Sequence, residues 1–284
     1  MDLRQDADVA VDEAIIGDLH DTPTLLQVLN DLRPAIILHL AGCVPPASDE
    51  KLWSSNVEAT RKLLEAVEAT KLKARIVVVG SAAEYGATEE AISEGDPCNP
   101  TTAYGRTKLA QTRLCERCAM EFDLNIAVAR AFNLYGPGMS THTVIGEICG
   151  QIARAEDGGF VELGNVASAR DFIDIRDAVA AYWALATHES PGVVFNVCAG
   201  RAVTIGDVAQ RLIELSGRQL SVRTVAERMH ADDFHRSCGD NTKLRERTDW
   251  APKIPLVDGL RDTLAWFLSQ NIGHAQRAEP VAAR

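Results

Sequence analysis

Arg75-Ile76-Val77-Val78-Val79-Gly80-Ser81 is the stretch that decides the fold. Its continuously apolar run is the pattern of a strand buried on both faces of a parallel sheet. Gly80-Ser81 ends the run, so Ser81 is expected at the carboxyl edge of the sheet, where an open α/β fold forms its ligand crevice. Working outward, Ala35 to Leu40 (AIILHL) is a second strand of this kind, set off by Pro34 from a helical segment over Thr22 to Leu32. It runs into Ala41-Gly42, small residues that let a backbone approach a ligand closely. A helix over Asp49 to Ala69 carries Asn56, and Glu13 to Leu19 (EAIIGDL) reads as a short strand ending in Gly-Asp. Downstream, Asn125 to Ala131 and Val193 to Val197 (VVFNV) are strands. Helical spacing recurs at Tyr104 to Phe122, Val144 to Ala155, Ala178 to Ala186, Ile205 to Leu215 and Val257 to Leu268. Strands alternating with helices imply right-handed βαβ units, a parallel sheet and a doubly wound α/β fold. No internal repeat or low-complexity linker interrupts the chain.

With 284 residues the chain can bury a sizeable core, as one large domain or two interlocked ones. A formal charge of −11 argues against a nucleic-acid-binding surface. No apolar run approaches the ~20 residues needed to cross a bilayer, and Met1-Asp-Leu-Arg-Gln-Asp6 has no secretory apolar core. Seven cysteines spread through apolar segments suit a reducing cytosol better than a disulfide framework, so a cytoplasmic location is expected. Cys115 and Cys118 form a C-x-x-C inside a helical pattern with no second pair; core packing is the expected role, a metal or redox role the alternative.

Tyr104-Gly-Arg-Thr-Lys108 opens a long amphipathic segment. On a helix, positions i and i+4 share a face, so the Tyr104 hydroxyl and the Lys108 ammonium can converge. A phenol with a pKa of about 10 is a poor acid or base near neutrality, and a fixed ammonium beside it should lower that value. Ser81, at the sheet edge, could hold a carbonyl beside the phenol. The plainer alternatives are a surface tyrosine and lysine, and a serine that caps a turn.

Several motifs in register extend this pattern. They are Ser81-Ala-Ala-Glu-Tyr-Gly86, Tyr104-x-x-x-Lys108, Arg130-Ala-Phe-Asn-Leu-Tyr-Gly-Pro-Gly138, Arg170-Asp-Phe-Ile-Asp-Ile-Arg-Asp177, Phe195-Asn-Val-Cys-Ala-Gly200 and Gly239-Asp-Asn-Thr-Lys-Leu244 with Trp250-x-Pro. Together, from about Gly17 to Leu268, they resemble the extended short-chain dehydrogenase/reductases, the NAD-dependent epimerase/dehydratase family that acts on nucleotide sugars. The Arg170–Asp177 segment and Ala181-Tyr-Trp183 most resemble its GDP-6-deoxy-4-keto-mannose reductase branch. The resemblance implies a catalytic triad of Ser81, Tyr104 and Lys108, with NAD or NADP as cofactor. Cofactor contacts would come from Asp18 and Leu19 beside the adenine, from Leu40, Ala41 and Gly42, from Asn56, and from Tyr104 and Lys108. Substrate contacts would come from Ser81, Asn133 and Arg170. An arginine fork suits phosphates, though Arg170 could instead pair with Asp171 or Asp174. The family's Arg-Pro-x-Asp stands here as His230-Ala-Asp-Asp233, so Arg228 or Arg236 would supply the missing phosphate ligand. The His230, His235, Asp232 and Asp233 group is expected to be polar surface, with metal binding as the alternative.

Other departures narrow the chemistry. Ala82 and Ala83 stand where the family's dehydratases carry the acid and glutamate that drive elimination, and Ala83 stands where its 3,5-epimerase/reductases carry a cysteine. Methyl groups move no protons, which leaves chemistry at sugar C4. The expected function is a nucleotide-sugar oxidoreductase, best read as a GDP-4-keto-6-deoxyhexose reductase. A nucleotide-sugar 4-epimerase is the near alternative, and a non-catalytic nucleotide-sugar-binding relative the alternative of another class. The family's opening strand and G-x-x-G-x-x-G turn, which cradles the dinucleotide pyrophosphate, have no counterpart here. The expectation is therefore a Rossmann-like sheet truncated at its start by roughly thirty to forty residues, with an open strand edge and exposed apolar surface. Residues 1–136 plus 170–200 are expected to form the cofactor-binding unit. Residues 137–169 plus 201–270 would form a smaller substrate-binding α/β subdomain, with 271–284 a flexible tail. A homodimer through the Asn56 and Tyr104 helices is expected, with Leu109, Leu114 and Met120 as candidate contacts.

Overall fold

The computed structural model describes residues 12–86, 90–188, 193–229 and 236–277. Helix α1 (Thr22–Leu32) starts on Asp21, whose carboxylate accepts from Thr24 N at 3.3 Å, and has Pro23 in its first turn, where a missing N–H costs nothing. Strand β1 (Ile36–His39) follows, then α2 (Asp49–Trp53), one π-helical turn (Ser54–Glu58) and α3 (Ala59–Ala69) in an unbroken helical run. Next come β2 (Arg75–Ser81), the short β3 (Ala91–Ile92) and α4 (Ala103–Phe122), whose N-cap Thr102 accepts from Gly105 N at 3.0 Å. The chain continues with β4 (Ile126–Ala131), β5 (Asn133–Tyr135), α5 (Val144–Arg154), β6 (Phe160–Leu163) and β7 (Ala169–Asp174). It closes with α6 (Ile175–Thr187), β8 (Val194–Val197), β9 (Ala202–Thr204), α7 (Ile205–Ser216), β10 (Ser221–Thr224), β11 (Arg236–Gly239), α8 (Thr242–Arg247) and α9 (Leu256–Arg277).

The main sheet has the order β1-β2-β4-β8, every pair parallel. Alternate residues of its central strands go to opposite faces. Ile76, Val78, Ile126 and Val128 meet α1, α3 and α4 through Leu25, Leu64, Val67 and Cys115. Val77, Ala127 and Ala129 meet α6 through Ala178, Ala181 and Leu185. Helices on both faces make the fold the doubly wound α/β arrangement expected from the apolar runs. Cys115 and Cys118 are core residues, as expected. Leu114 joins the same core, so of the three contacts expected for a second copy it is already used; Met120, by contrast, is 80% exposed.

Within the described residues the main sheet ends at β1, and apolar side chains stand exposed beside that edge, among them Leu38 and Leu40 (40% and 62%). Of the Glu13–Leu19 strand expected from the sequence, an isolated bridge at Ile16 is what forms. A second core is built from α5, α7 and α9, with Ile148, Ile152, Leu212 and Leu260 at its centre. Beside it lie a β6–β10 pair and the path β3-β11-β7-β5, with β9 antiparallel to β7. Strand β7, at the start of the 170–200 stretch assigned to the cofactor unit, pairs here rather than in the main sheet. Asp171 on β7 holds this region together, accepting from Ala199 N at 2.8 Å and Gly200 N at 2.9 Å. Helix α9 runs past residue 271, where a tail was expected. The His230–Asp233 group and His235 lie outside the described residues, and no described helix is long and apolar enough to cross a membrane.

The end of β2 is pinned by a buried ion pair. Glu84 accepts from Arg130 Nε at 2.7 Å and, with its other oxygen, from Ser81 N at 3.0 Å; the two side chains are 0% and 5% exposed. Arg130 also lies over the Tyr85 ring, 4.7 Å from its centroid. Removing one partner of a buried pair leaves a charge without compensation. Arg130→Met is therefore expected to lose about 3–5 kcal/mol of unfolding free energy in a urea titration. The double variant Glu84→Gln with Arg130→Met should recover a large part of that loss.

Candidate active site

A cavity of about 830 Å³ opens over the carboxyl end of the main sheet, between it and the α5, β6 and β7 region. Its wall brings together Ser81, Tyr104 and Lys108, which are 23 and 27 positions apart in sequence from Ser81. Ser81 arrives because β2 ends there and pairs with Ala131 of β4. Its side chain accepts from Ala83 N at 3.2 Å, so the turn-capping role considered from the sequence is also real. Tyr104 arrives because the first turn of α4 packs directly on that turn. A Cβ on Gly105 would fall 2.4 Å from Ala83 O, so glycine is what allows the approach.

Lys108 is buried, and its Nζ donates to Val79 O at 2.7 Å and Gln111 Oε1 at 2.9 Å. Burial depresses its pKa to about 8, with Glu84 opposing the shift. The phenol behaves differently from the expectation that an adjacent amine lowers its pKa. Burial raises the Tyr104 pKa, the Ser81 hydroxyl hydrogen-bonded to it pulls it partly back, and Glu84 raises it further. Desolvation is the largest cause, and it holds the phenol protonated at neutral pH.

Asn56 is fully buried in the π-helical turn and ties the loop after β1 to α4. Its Oδ1 accepts from Cys43 N at 2.8 Å, and its Nδ2 donates to Cys43 O at 3.0 Å and Thr107 Oγ1 at 3.1 Å. Single π turns are common at functional positions, since the extra residue re-aims a side chain. Leu40 and Gly42 share this end of the cavity with Asn56 and Lys108. Gly42 is tight against Asn56, because a Cβ there would come 2.9 Å from Asn56 Oδ1.

The far end holds Asn133, Arg170, Glu147, Glu227 and Arg228. Asn133 Nδ2 donates to Asp171 O at 2.9 Å, joining β5 to β7. Of the acids considered as partners for Arg170, Asp174 pairs with Arg176 at 2.9 Å and Asp171 accepts backbone amides. Arg228 is bracketed by Glu147 and Glu162.

Four candidates stand outside the wall: Asp18, Leu19, Ala41 and Arg236. Asp18 accepts from His20 Nδ1 at 2.8 Å, and His20 Nε2 lies 3.2 Å from Ser54 Oγ, which turns this group toward the outside of the α2 run. Leu19 packs against the α1–α3 core, and Ala41 is exposed between its two lining neighbours. Arg236 is exposed on β11, so of the two arginines considered for the phosphate role Arg228 is the one in the cavity. Gln111 was missed, although its i+3 spacing from Lys108 on one helix face is a usable signal. Glu84 and Arg130 were missed as a pair because nothing in the sequence joins residues so far apart.

Comparison with known proteins agrees with this fold. The chain is 31% identical over 250 residues to the GDP-6-deoxy-D-mannose reductase of Pseudomonas aeruginosa, covering 84% of this chain and 82% of that protein. It is 27% identical to the UDP-glucose 4-epimerase of Azospirillum brasilense, covering 99% and 87% of the two. Among solved structures, that of RMD from Pseudomonas aeruginosa complexed with NADPH superposes with a TM-score of 0.83 at 28% identity, covering 92% of this chain and 90% of that one. The model of the NAD dependent epimerase/dehydratase family matches residues 2–198. With the doubly wound sheet, the cavity at its carboxyl edge and this match over more than half its length, the chain belongs to the NAD dependent epimerase/dehydratase family.

Proposed function

We propose that the chain is an NAD(P)-dependent nucleotide-sugar oxidoreductase that reduces a keto group at sugar C4, with a GDP-4-keto-6-deoxyhexose as substrate class. The observation that carries this reading is the meeting of Ser81, Tyr104 and Lys108 in one cavity whose adjoining positions, Ala82 and Ala83, bear only methyl groups. The residues fit the nicotinamide end of the cofactor. A buried cation, a neutral phenol and the small Gly42 line one pocket, and Leu40, Gly42, Asn56 and Lys108 would hold that end. NAD(P) bound there supplies or accepts the hydride at C4.

The chain's own groups handle the proton. Tyr104, protonated at rest, donates from Oη to the carbonyl oxygen as negative charge develops on it. Ser81 hydrogen-bonds the same oxygen, and Lys108 stabilises the phenolate that remains. At the far end Arg170 and Arg228 suit a diphosphate, with Asn133 alongside. The likeness to the Pseudomonas aeruginosa reductase supports the GDP-sugar choice. A 4-epimerase would use the same atoms in both directions, and the likeness to the Azospirillum brasilense enzyme supports that second reading. A homodimer would cover the α2 and α4 face, where Trp53 stands exposed beside Arg106, Arg113 and Arg117, with Met120 exposed toward the end of α4.

Incubation with a GDP-4-keto-6-deoxyhexose and NADPH should consume one NADPH per sugar reduced; turnover without net oxidation would identify the epimerase. A folded chain that binds nucleotide sugar but leaves NADPH fluorescence unchanged would identify a non-catalytic relative. Tyr104→Phe should lower kcat by roughly 10²- to 10⁴-fold and leave NADPH affinity within about threefold. Arg170→Ala should raise KM for the nucleotide sugar by about 10- to 100-fold with a much smaller change in kcat, as expected for a lost charged hydrogen bond.

A further inference from the structure

A buried polar chain runs behind Lys108, away from the cavity. Gln111 Oε1 accepts from Lys108 Nζ at 2.9 Å, and Gln111 Nε2 donates to Thr60 Oγ1 at 2.7 Å. Thr60 Oγ1 donates to Asn56 O at 2.8 Å, and His39 Nε2 sits 2.8 Å from the same hydroxyl oxygen. All four side chains are buried.

Donor counting fixes the direction of every bond. A threonine hydroxyl has one hydrogen, here given to Asn56 O, so Thr60 must accept from both Gln111 and His39. His39 therefore carries its hydrogen on Nε2. The Gln111 amide cannot flip either, because its NH₂ is needed by Thr60 and its oxygen by the ammonium. An ammonium has three donors; Val79 O and Gln111 Oε1 take two, which leaves one for the cavity that Lys108 lines. An amide does not readily pass a proton on, so this chain acts as a clamp and not as a proton wire.

The geometry points to Gln111 as a positioning residue which, backed by Thr60 and His39, clamps Lys108 so that one N–H faces the cavity. The inference deepens the proposed function, since it rests on Lys108 serving the bound cofactor and the phenolate. Neutrality of the clamp matters as much as its reach. The groups facing Lys108 are Glu84 from the turn after β2, Cys115 from its own helix and His39 from β1. Burial pushes His39 to a pKa of about 4, so it adds no positive charge. Gln111 holds the ammonium without a carboxylate that would raise its pKa, and Lys108 stays near 8. A carboxylate in place of the Gln111 amide would favour the cation and move that titration upward.

The test is the titration of Lys108 in the full chain, uniformly ¹³C-labelled at lysine Cε and followed by NMR in parent, Gln111→Glu, Gln111→Leu and Thr60→Val. In the parent, Lys108 should titrate about two units below the exposed lysines. Gln111→Glu should move it up by about one unit or more. Gln111→Leu and Thr60→Val should each weaken NADPH binding, read by fluorescence, by about tenfold, and lower kcat more than they change KM for the sugar. Parent Lys108 titrating with the exposed lysines, or a Gln111→Glu titration coincident with the parent, overturns the clamp. If Gln111→Leu does not fold, Gln111→Glu and Thr60→Val still decide. Loss of turnover on every 4-keto sugar with the titration results intact would defeat the oxidoreductase reading and leave the clamp standing.

Discussion

One hydrogen bond, from the Lys108 ammonium to the Val79 carbonyl, locks α4 against the end of β2. A charged donor in a buried site makes a strong bond, and breaking it would leave the ammonium one partner short. The alignment of Tyr104 with Ser81 follows from it, because both lie within a turn of the two bonded residues. Asn56 then needs only to bridge Cys43 and Thr107 for the loop after β1 to join the same assembly. The site is thus a junction of three segments, each held by a buried polar contact rather than by loop geometry.

The electrostatics invert a simple argument. Proximity of an amine to a phenol suggests an acidic phenol, yet the structure gives a protonated phenol and a depressed lysine. Desolvation dominates both, and it acts in the direction that keeps each group neutral. Glu84 contributes to both residues, favouring the cation and disfavouring the phenolate, and its own charge is tied to Arg130. A carboxylate outside the cavity wall thereby adjusts, without reversing, the effect of burial on two groups that line it.

Much of this was legible from the sequence, and the boundary is a physical one. Strands β2, β4 and β8 were read correctly because burial on both faces leaves an uninterrupted apolar run, and β1 was read by the same apolar pattern although Leu38 is exposed at the sheet edge. Ser81, Tyr104 and Lys108 were found because a strand end and a helical i+4 spacing are local properties. Strands β5, β7, β9 and β11 were missed because sequences such as Ala169-Arg-Asp-Phe-Ile-Asp174 and Arg236-Ser-Cys-Gly239 have little periodicity and depend on partners distant in the chain. Asp18 and Arg236 were assigned from motif position, and the structure places both outside the cavity wall. The clamp behind Lys108 joins three elements, and no window of sequence contains it.

The π turn at Ser54–Glu58 makes this region sensitive to length more than to composition. It holds one residue beyond what a regular ladder needs, so a single deletion there would let the ladder close as ordinary α-helix. Every residue on one side of the gap would then rotate by about 100° relative to the other. Asn56 would swing away from Cys43, or α3 would roll its apolar stripe off the sheet. Drift in this lineage can thus exchange side chains along the α2–α3 run far more freely than it can shorten it by one.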